Sequence, residues 1–315
     1  IDNSISANAK EIHVNFMSTD PAWLCVLDNG CGMSKDELRT AMKYGSKSSL
    51  DRRSDTDLGR FGLGLKTASL SQCRCLTVIS KKNGVISSAR WDLDHILSCE
   101  NWALLWLDYS EIKSLPGVDW LETQGDGTIV LWQVFDRLML SSDNPQKVFD
   151  EKIELSREHV ALVFHRFLGD DSALRRVRIF FNNDIVLPID PFLSNHPATQ
   201  PLTEQIIRIG TEQIRVKPYI LPFSSKLSAK DIKSIGGKDD LRQRQGFYVY
   251  RNKRLIIWGT WFRLLKQYEL NKLARIRVDI PNSLDSMWEI DVKKSTASLP
   301  NIIKKRLVSI VESSV

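Results

Sequence analysis

Residues 57–69 combine a cluster of glycines with an apolar stretch of helical potential, and this segment constrains the fold more than any other. Gly59, Gly62 and Gly64 stand close together, and Ala68 and Leu70 follow them. Glycine allows the backbone to approach a ligand closely and to reach positive φ. A helix that begins after such a loop points free N–H groups and the positive end of its dipole at the ligand. The segment therefore predicts an anion site, most often one for phosphate.

The same segment has a second interpretation, as a loop that only turns the chain. It lacks the Gly-Lys-Ser/Thr ending of a P-loop, and no strong strand precedes it as a dinucleotide fingerprint requires. Three further segments favour the phosphate interpretation. They are residues 2–9 with Asn3, residues 28–33 (Asp-Asn-Gly-Cys-Gly-Met) and residues 127–130 (Gly-Thr-Ile-Val).

Length and composition set the class of protein. A chain of 315 residues is long enough for two domains, and 42% hydrophobic with 26% charged residues is typical of soluble globular proteins. No apolar stretch suits a membrane span and no leader is visible, so we expect no membrane partner and a cytoplasmic protein, or a nuclear one in a eukaryote. The five cysteines lack metal-ligand spacing, which predicts reduced thiols.

Charge is distributed unevenly along the chain. Residues 1–200 hold 22 Lys/Arg and 27 Asp/Glu, whereas residues 201–315 hold 22 Lys/Arg and 11 Asp/Glu. A basic C-terminal part of this kind indicates contact with a polyanion, although basic faces are often simply solvated. The stretch from Lys226 to Arg277 is the most basic and is interleaved with aromatic residues, which predicts either DNA contact or, since the aromatics alternate along strands, a core.

Hydrophobic periodicity gives a coarse order of elements. Residues 2–9 are predicted as the end of a helix with Asn3 and Ala7 on one face, and residues 12–16 and 23–27 as an antiparallel hairpin. Ser34 with Glu37 predicts a capping box for a helix to about Lys43. Further strands are predicted at residues 75–79, 85–91, 127–132, 177–181, 205–209, 214–220, 246–250, 255–258 and 275–280, with helices at 160–167 and from about Asn301.

Four segments together resemble the nucleotide motifs of the GHKL superfamily, in the same order: the Asn3 helix, residues 28–33, residues 59–66 and Gly127-Thr128. This superfamily includes gyrase B, MutL, sensor histidine kinases and a heat-shock chaperone. The resemblance extends over essentially the whole chain. Within the superfamily, residues 59–69 and 246–256 look most like MORC and MutL ATPases.

The resemblance implies an α+β fold in two domains. Residues 1–192 would form a Bergerat-type α/β sandwich, a mixed and mostly antiparallel sheet covered by helices on one face. Residues 193–315 would form a smaller transducer domain with a ribosomal-protein-like β-α-β fold that continues into a C-terminal helix. The polar, aperiodic residues from 44 to about 58 would be a lid over the bound phosphates.

The resemblance also assigns the adenine pocket. Asp28 would accept a hydrogen bond from the exocyclic amine of adenine, although an Asp before Asn-Gly is also a common turn. Gly30 and Gly32 would let the base lie flat on the backbone, and Met33 would form a soft wall. Thr128 would reach the base through its hydroxyl or a water, or would be an ordinary strand threonine.

The remaining assignments concern the phosphates and a metal ion. Asn3 would offer an amide oxygen to Mg²⁺, which prefers hard oxygen ligands. Backbone amides of the glycine loop would hold the phosphates of ATP. The full set of further nucleotide-binding residues implied is Ala7, Gly45, Ser46, Lys47, Gly59, Arg60, Phe61, Gly62, Leu63, Gly64, Leu65 and Lys66.

One residue is assigned to catalysis. Lys294, with Lys293 as the less favoured neighbour, resembles the transducer lysine that reaches the γ-phosphate, although a solvated pair is the alternative. Hydrolysing relatives carry a glutamate one helical turn before the asparagine, a position that would precede Ile1. Either the sequence continues upstream of Ile1 and supplies this general base, or the protein binds ATP without splitting it efficiently.

These features predict a Mg²⁺-dependent ATPase that acts as a conformational switch, dimerises when nucleotide is bound and serves a DNA-associated process. Two alternatives stay open. One is a non-hydrolysing, ATP-gated interaction module, and the other is a chaperone, which rests on fold analogy alone.

Overall fold

The computed structural model describes residues 1–43, 64–136, 144–169, 176–235, 237, 243–264, 271–284 and 301–314. The chain divides into two compact units. Of the described residues, those within 1–159 and 170–186 lie in the first unit, and those within 160–169 and 187–314 lie in the second. The domain limits expected from the resemblance, residues 1–192 and 193–315, stay a prediction.

The first unit is built on an eight-stranded sheet in the order β5-β4-β3-β6-β2-β1-β7-β8. Its strands are β1 (Glu11–Met17), β2 (Trp23–Asp28), β3 (Cys73–Lys82), β4 (Val85–Asp92), β5 (Leu105–Trp106), β6 (Gly127–Phe135), β7 (Arg178–Phe181) and β8 (Asp184–Ile185). Neighbouring strands are antiparallel except β1 and β7, which run parallel. The sheet is thus mixed and mostly antiparallel.

Seven helices are described in whole or in part in this unit. They are α1 (Asp2–Ser6), α2 (Lys35–Met42), α3 (Gly64–Leu70), α4 (Leu93–Cys99), α5 (Tyr109–Ile112), α6 (Val118–Thr123) and α7 (Pro145–Val163), whose last turn belongs to the second unit. The predicted capping box is confirmed, because Ser34 Oγ accepts from the Glu37 N–H and the Glu37 carboxylate accepts from the Ser34 N–H. The helix predicted at residues 160–167 is instead the end of α7 followed by a separate short helix.

Helices cover both faces of this sheet, so the expectation of helices on one face was wrong. Leu38 and Met42 of α2 pack on the face formed by Leu76 and Val78 of β3. On the opposite face, helices α5 and α6 supply Ile112, Val118 and Leu121, which pack against Cys25, Leu27, Ile79, Ile129 and Leu131. The central strands are apolar on both sides, and both sides must therefore be shielded from water.

The second unit contains a six-stranded sheet whose main path is β10-β11-β14-β12-β13. The strands are β9 (Gln200–Pro201), β10 (Gln205–Ile209), β11 (Glu212–Ile220), β12 (Gly246–Arg251), β13 (Arg254–Thr260) and β14 (Ala274–Ile280), and the helices are α8 (His165–Leu168), α9 (Ala229–Ser234) and α10 (Asn301–Ser314). Strands β12 and β14 are parallel. The β-α-β description of this unit stays a prediction.

Helix α10 closes one face of the second sheet. Its residues Ile303, Leu307, Ile310 and Val311 are buried against apolar side chains of β11, β12 and β14. The opposite face is aromatic and partly charged, with Phe192 packed on Tyr219, Tyr248 and Tyr250. Each sheet therefore has its own core.

Candidate functional site

Three polar residues lie side by side on neighbouring strands at one end of the first sheet. Asp28 of β2 pairs with Thr128 of β6, and Thr128 pairs in turn with Ser80 of β3. Directly paired residues of adjacent strands project from the same face of a sheet. Val26, Val130 and Val78 pair in the same way two residues further along. The result is a polar row beside an apolar row.

Asp28 is buried, with 6% of its surface exposed. Its Oδ1 accepts a hydrogen bond from the Gly30 N–H at 3.0 Å, and its carboxylate also bonds the Ser4 side chain. Burial raises the pKa of Asp28 above the ordinary value of a carboxyl group, while the bonds from Gly30 and Ser4 oppose the rise. A buried carboxyl group with spare acceptor capacity is well suited to a ligand that offers N–H donors.

The end of α1 packs against the loop that follows Asp28. The Cys31 N–H donates to the Ala7 carbonyl at 2.9 Å, and a Cβ added at Gly30 would lie 2.8 Å from the Ala7 Cβ and 2.9 Å from Asp28 Oδ1. Glycine at position 30 is therefore required by the protein's own packing. This packing sets α1, with the exposed Asn3, next to the polar row.

Gly32 has a left-handed backbone with φ of +59°, and a Cβ at this position would lie 2.0 Å from the Lys81 carbonyl oxygen. The next residue, Met33, donates its N–H to Ser80 Oγ at 2.8 Å and packs beside the apolar cluster of α2 and β3. Ser80 Oγ also lies 3.0 Å from the Gly127 carbonyl oxygen and 2.8 Å from Thr128 Oγ1. The loop is thereby tied to β3 and β6.

Helix α3 begins at Gly64, the last glycine of the cluster, and is attached to β6. Trp132 Nε1 donates to Ser69 Oγ at 2.8 Å, and the Ser69 hydroxyl donates to the Leu65 carbonyl at 2.5 Å. Leu65 packs on the same apolar cluster as Met33. The helix predicted to follow the glycine loop is confirmed.

The structure thus brings six of the assigned residues into one neighbourhood: Ala7, Asp28, Gly30, Gly32, Met33 and Thr128. Asn3 is on the adjoining helix. Gly45, Ser46, Lys47, Gly59, Arg60, Phe61, Gly62, Leu63 and Lys294, the lid at 44–58 and the side chain of Lys66 lie outside the described residues. Their roles stay predictions.

Two residues of this neighbourhood were missed from the sequence. Ser4 directly follows Asn3, and its position on the helix could have pointed to Asp28. Ser80 ends an apolar run that was predicted to stop at Ile79, and nothing local distinguishes it. Only the pairing of β3 with β6, a contact between residues 48 positions apart in sequence, brings Ser80 to Thr128.

The basic stretch from Lys226 to Arg277 is not an aromatic binding surface in the part that the structure describes. Phe247, Tyr248 and Tyr250 are at most 1% exposed because β12 lies between β13 and β14. Arg251 and Arg275 are also buried. The interpretation of these aromatic residues as core is confirmed.

The described residues contain no group of three His, Cys, Asp or Glu side chains that could hold a metal ion. All five cysteines are free thiols, as predicted. None of the described helices has both the length and the apolar character needed to cross a bilayer.

Comparison with known proteins gives a family match that lies within the first unit. The family model for histidine kinase-, DNA gyrase B-, and HSP90-like ATPases matches residues 1–128. ATPase morc-1 of Caenorhabditis elegans is 29% identical over 89 residues, which are 28% of this chain and 10% of that protein. The DNA mismatch repair protein MutL of Chlamydia abortus is 38% identical over 63 residues, 20% of this chain and 11% of that protein. The matched segments thus span about a tenth of each relative's length.

A solved structure shares the fold over nearly the whole chain. It is described as the N terminal domain of a DNA repair protein, and it aligns with a TM-score of 0.56 and 15% identity over 99% of this chain and 90% of that one. At this identity the likeness concerns the fold alone, which is α+β. Over residues 1–128 the chain is thus similar to the histidine kinase-, DNA gyrase B- and HSP90-like ATPases, the GHKL superfamily, and its relatives include MORC and MutL proteins.

Proposed function

We propose that the protein binds and hydrolyses ATP with Mg²⁺ and uses the nucleotide as a conformational and dimerisation switch. The observation that carries this proposal is the buried Asp28, held beside Thr128 and next to the half-buried Val26 and Val130. A carboxylate accepts from the 6-amino group of adenine and repels the 6-oxo group of guanine. The similarity of residues 1–128 to the family model of these ATPases supports the same assignment.

The chain's residues also suit the phosphates and a metal ion. Asn3 is exposed on α1, so its amide oxygen can reach a cation on the solvent side of the pocket. Mg²⁺ keeps several waters and bridges to phosphate oxygens, so one amide oxygen from the protein is a sufficient anchor. When bound, the ion would offset negative charge on the phosphates. Lys294, the lid and the glycine loop complete the site in this proposal.

We expect ATP to bind to the full-length protein in isothermal titration and chelation of Mg²⁺ by EDTA to weaken that binding by about tenfold or more, because phosphate charge is then unscreened. Phosphate release should be slow, and turnover per protomer should rise with protein concentration because dimerisation is part of the switch. Binding without phosphate release would favour the ATP-gated interaction module. Absence of ATP binding would contradict the proposal itself.

We also propose that the second unit contacts DNA. Its segment carries 22 Lys/Arg against 11 Asp/Glu over residues 201–315, and Lys226, Lys230 and Arg263 are exposed. Exposed cations that neutralise phosphates give affinity that falls steeply with salt. Two similar proteins, a DNA mismatch repair protein and a DNA repair protein, support the same proposal.

Reversal of Lys226 and Lys230 to Glu should weaken duplex binding by about tenfold or more at low salt and reduce the slope of affinity against salt. Fluorescence anisotropy with a labelled duplex at two salt concentrations measures both quantities. The matched control reverses Lys147 and Lys152, two exposed lysines of α7 in the first unit. An equal loss in both double variants would show that only net charge matters and would remove this surface from the proposal.

A further inference from the structure

Ser80 is fully buried at the inner end of the polar row, next to Thr128 and two strands away from Asp28. None of the motifs of the sequence includes it. Its hydroxyl contacts three polar groups of the site: the Met33 N–H, the Gly127 carbonyl and the Thr128 hydroxyl. Any role of Ser80 in nucleotide selection rests on the proposed adenine pocket.

A serine hydroxyl has one proton to donate and two lone pairs to accept with. The Met33 N–H can only donate, so it occupies one lone pair of Ser80 Oγ at 2.8 Å. The Gly127 carbonyl can only accept, so the Ser80 proton goes to it at 3.0 Å. One lone pair of Ser80 is then left for the third neighbour, Thr128, whose Oγ1 is 2.8 Å away.

A single assignment of protons satisfies all three contacts. In this assignment the Thr128 hydroxyl donates its proton to Ser80. Its lone pairs then remain available to accept hydrogen bonds from a ligand. The alternative, in which Ser80 donates to Thr128, forfeits the bond to the Gly127 carbonyl and leaves a buried Ser80 lone pair unused. Buried polar groups rarely forgo bonds that geometry allows.

Asp28, like Thr128, presents acceptor lone pairs and no proton to a ligand. Its carboxylate is acceptor-only when ionised, and among the described residues it accepts hydrogen bonds from the Gly30 N–H and Ser4. Asp28 and Thr128 are directly paired, so their remaining lone pairs project from one face. A purine with a 6-amino group offers two protons to such a pair, whereas a 6-oxo purine offers a third acceptor.

We propose that Ser80 is a specificity-determining residue that fixes the Thr128 hydroxyl as an acceptor and so helps the site to choose 6-amino over 6-oxo purine nucleotides. Ser80 acts through Thr128 and is a positioning residue in this role. Without its lone pair, the Thr128 hydroxyl can rotate and donate to a 6-oxo group.

The test compares ATP with inosine triphosphate, which differs in the 6-amino group and lacks the extra 2-amino group of guanine. In isothermal titration, Ser80→Ala should lower the ratio of ATP affinity to inosine triphosphate affinity by about tenfold, and Ser80→Thr, which keeps the hydroxyl, should retain most of that ratio. In a Thr128→Val background, Ser80→Ala should leave the ratio unchanged because its target is gone. Should Ser80→Ala not fold, Ser80→Cys makes the same comparison with a weakly bonding thiol of similar volume.

The outcomes separate the inference from the proposed function. Loss of affinity for both nucleotides by the same factor, with an unchanged ratio, would mean that Ser80 is purely structural and would overturn the inference. Failure of the wild-type protein to bind either nucleotide would instead overturn the proposed ATP site. A lowered ratio in Ser80→Ala together with no further change in the Thr128→Val background would support the inference.

Discussion

Asp28→Asn is expected to lower ATP affinity by about a hundredfold or more, equivalent to about 2.7 kcal/mol. The carboxylate offers only acceptors to the 6-amino group of adenine, whereas the asparagine amide can turn an NH₂ group toward it, and two donors then face each other. The variant also loses the negative charge that makes the hydrogen bond a strong one. Isothermal titration with ATP and Mg²⁺ measures the effect.

The matched control is Asp36→Asn, the same substitution at a side chain that is 89% exposed on α2. It should leave ATP affinity within about twofold of wild type, because a solvated charge on the helix surface is screened. Unchanged ATP affinity in a well-folded Asp28→Asn protein would contradict the assignment of the pocket.

The same variant should be at least as stable as wild type without nucleotide at pH 7. Burial raises the pKa of Asp28, so a group that is protonated more readily in the folded state loses stability as pH rises through its folded pKa. A neutral amide avoids that loss. The advantage of Asp28→Asn should therefore be largest at neutral pH and shrink as pH falls toward about 4, the ordinary value for Asp.

Urea midpoints of both proteins at pH 7.5, 5.5 and 4.5 test this sign, since every other titrating group is shared between them. A constant difference would mean that the pKa of Asp28 is not raised. The combination of lost binding with retained stability would show that position 28 is kept acidic for its ligand and at some cost to the fold, as is common at functional sites.

Local patterns in the sequence were sufficient to predict the secondary structure around Asp28. The hairpin of β1 and β2 and the Ser34–Glu37 capping box depend on residues close in sequence, and both are confirmed. Asp28 could be placed at a strand end for the same reason. In each case the deciding contact is local, so periodicity and turn chemistry contain the information.

Contacts between distant segments could not be predicted in this way. Helices α5 and α6 have only 4 and 6 residues, too few for a clear helical period, so the second covered face of the first sheet was missed. In the basic stretch the sequence pattern was ambiguous. Its aromatic residues alternate along strands, and this pattern is expected both for a buried strand and for an exposed binding strand. Their burial depends on the position of β12 between two other strands, which one sequence does not reveal.

Of the variants considered for stability, Gly32→Ala is expected to have the largest effect. It should lower the free energy of unfolding by about 3–5 kcal/mol. Its backbone is left-handed, and the new Cβ would lie 2.0 Å from the Lys81 carbonyl oxygen, a main-chain atom of β3 that cannot rotate away. To relieve the clash, the loop must separate from β3. The bond from the Met33 N–H to Ser80 would then lengthen or break.

Gly84→Ala is the matched control. Gly84 also has a left-handed backbone, with φ of +79°, but no atom lies within 4 Å of the position that its Cβ would take. The conformational penalty alone is about 1 kcal/mol. Urea unfolding of the two variants therefore separates the backbone penalty of a positive φ from the steric clash with β3. Equal losses in the free energy of unfolding would contradict the packing of the loop on β3.

This comparison also decides what the glycine at position 32 is for. The resemblance assigns it to close approach of the base, whereas the geometry already requires glycine there without any ligand. If Gly32→Ala loses ATP affinity only in proportion to its unfolded fraction, the glycine serves the fold. If the folded variant binds ATP about tenfold more weakly or worse, the path of this loop beside Met33 also sets the pocket for the base.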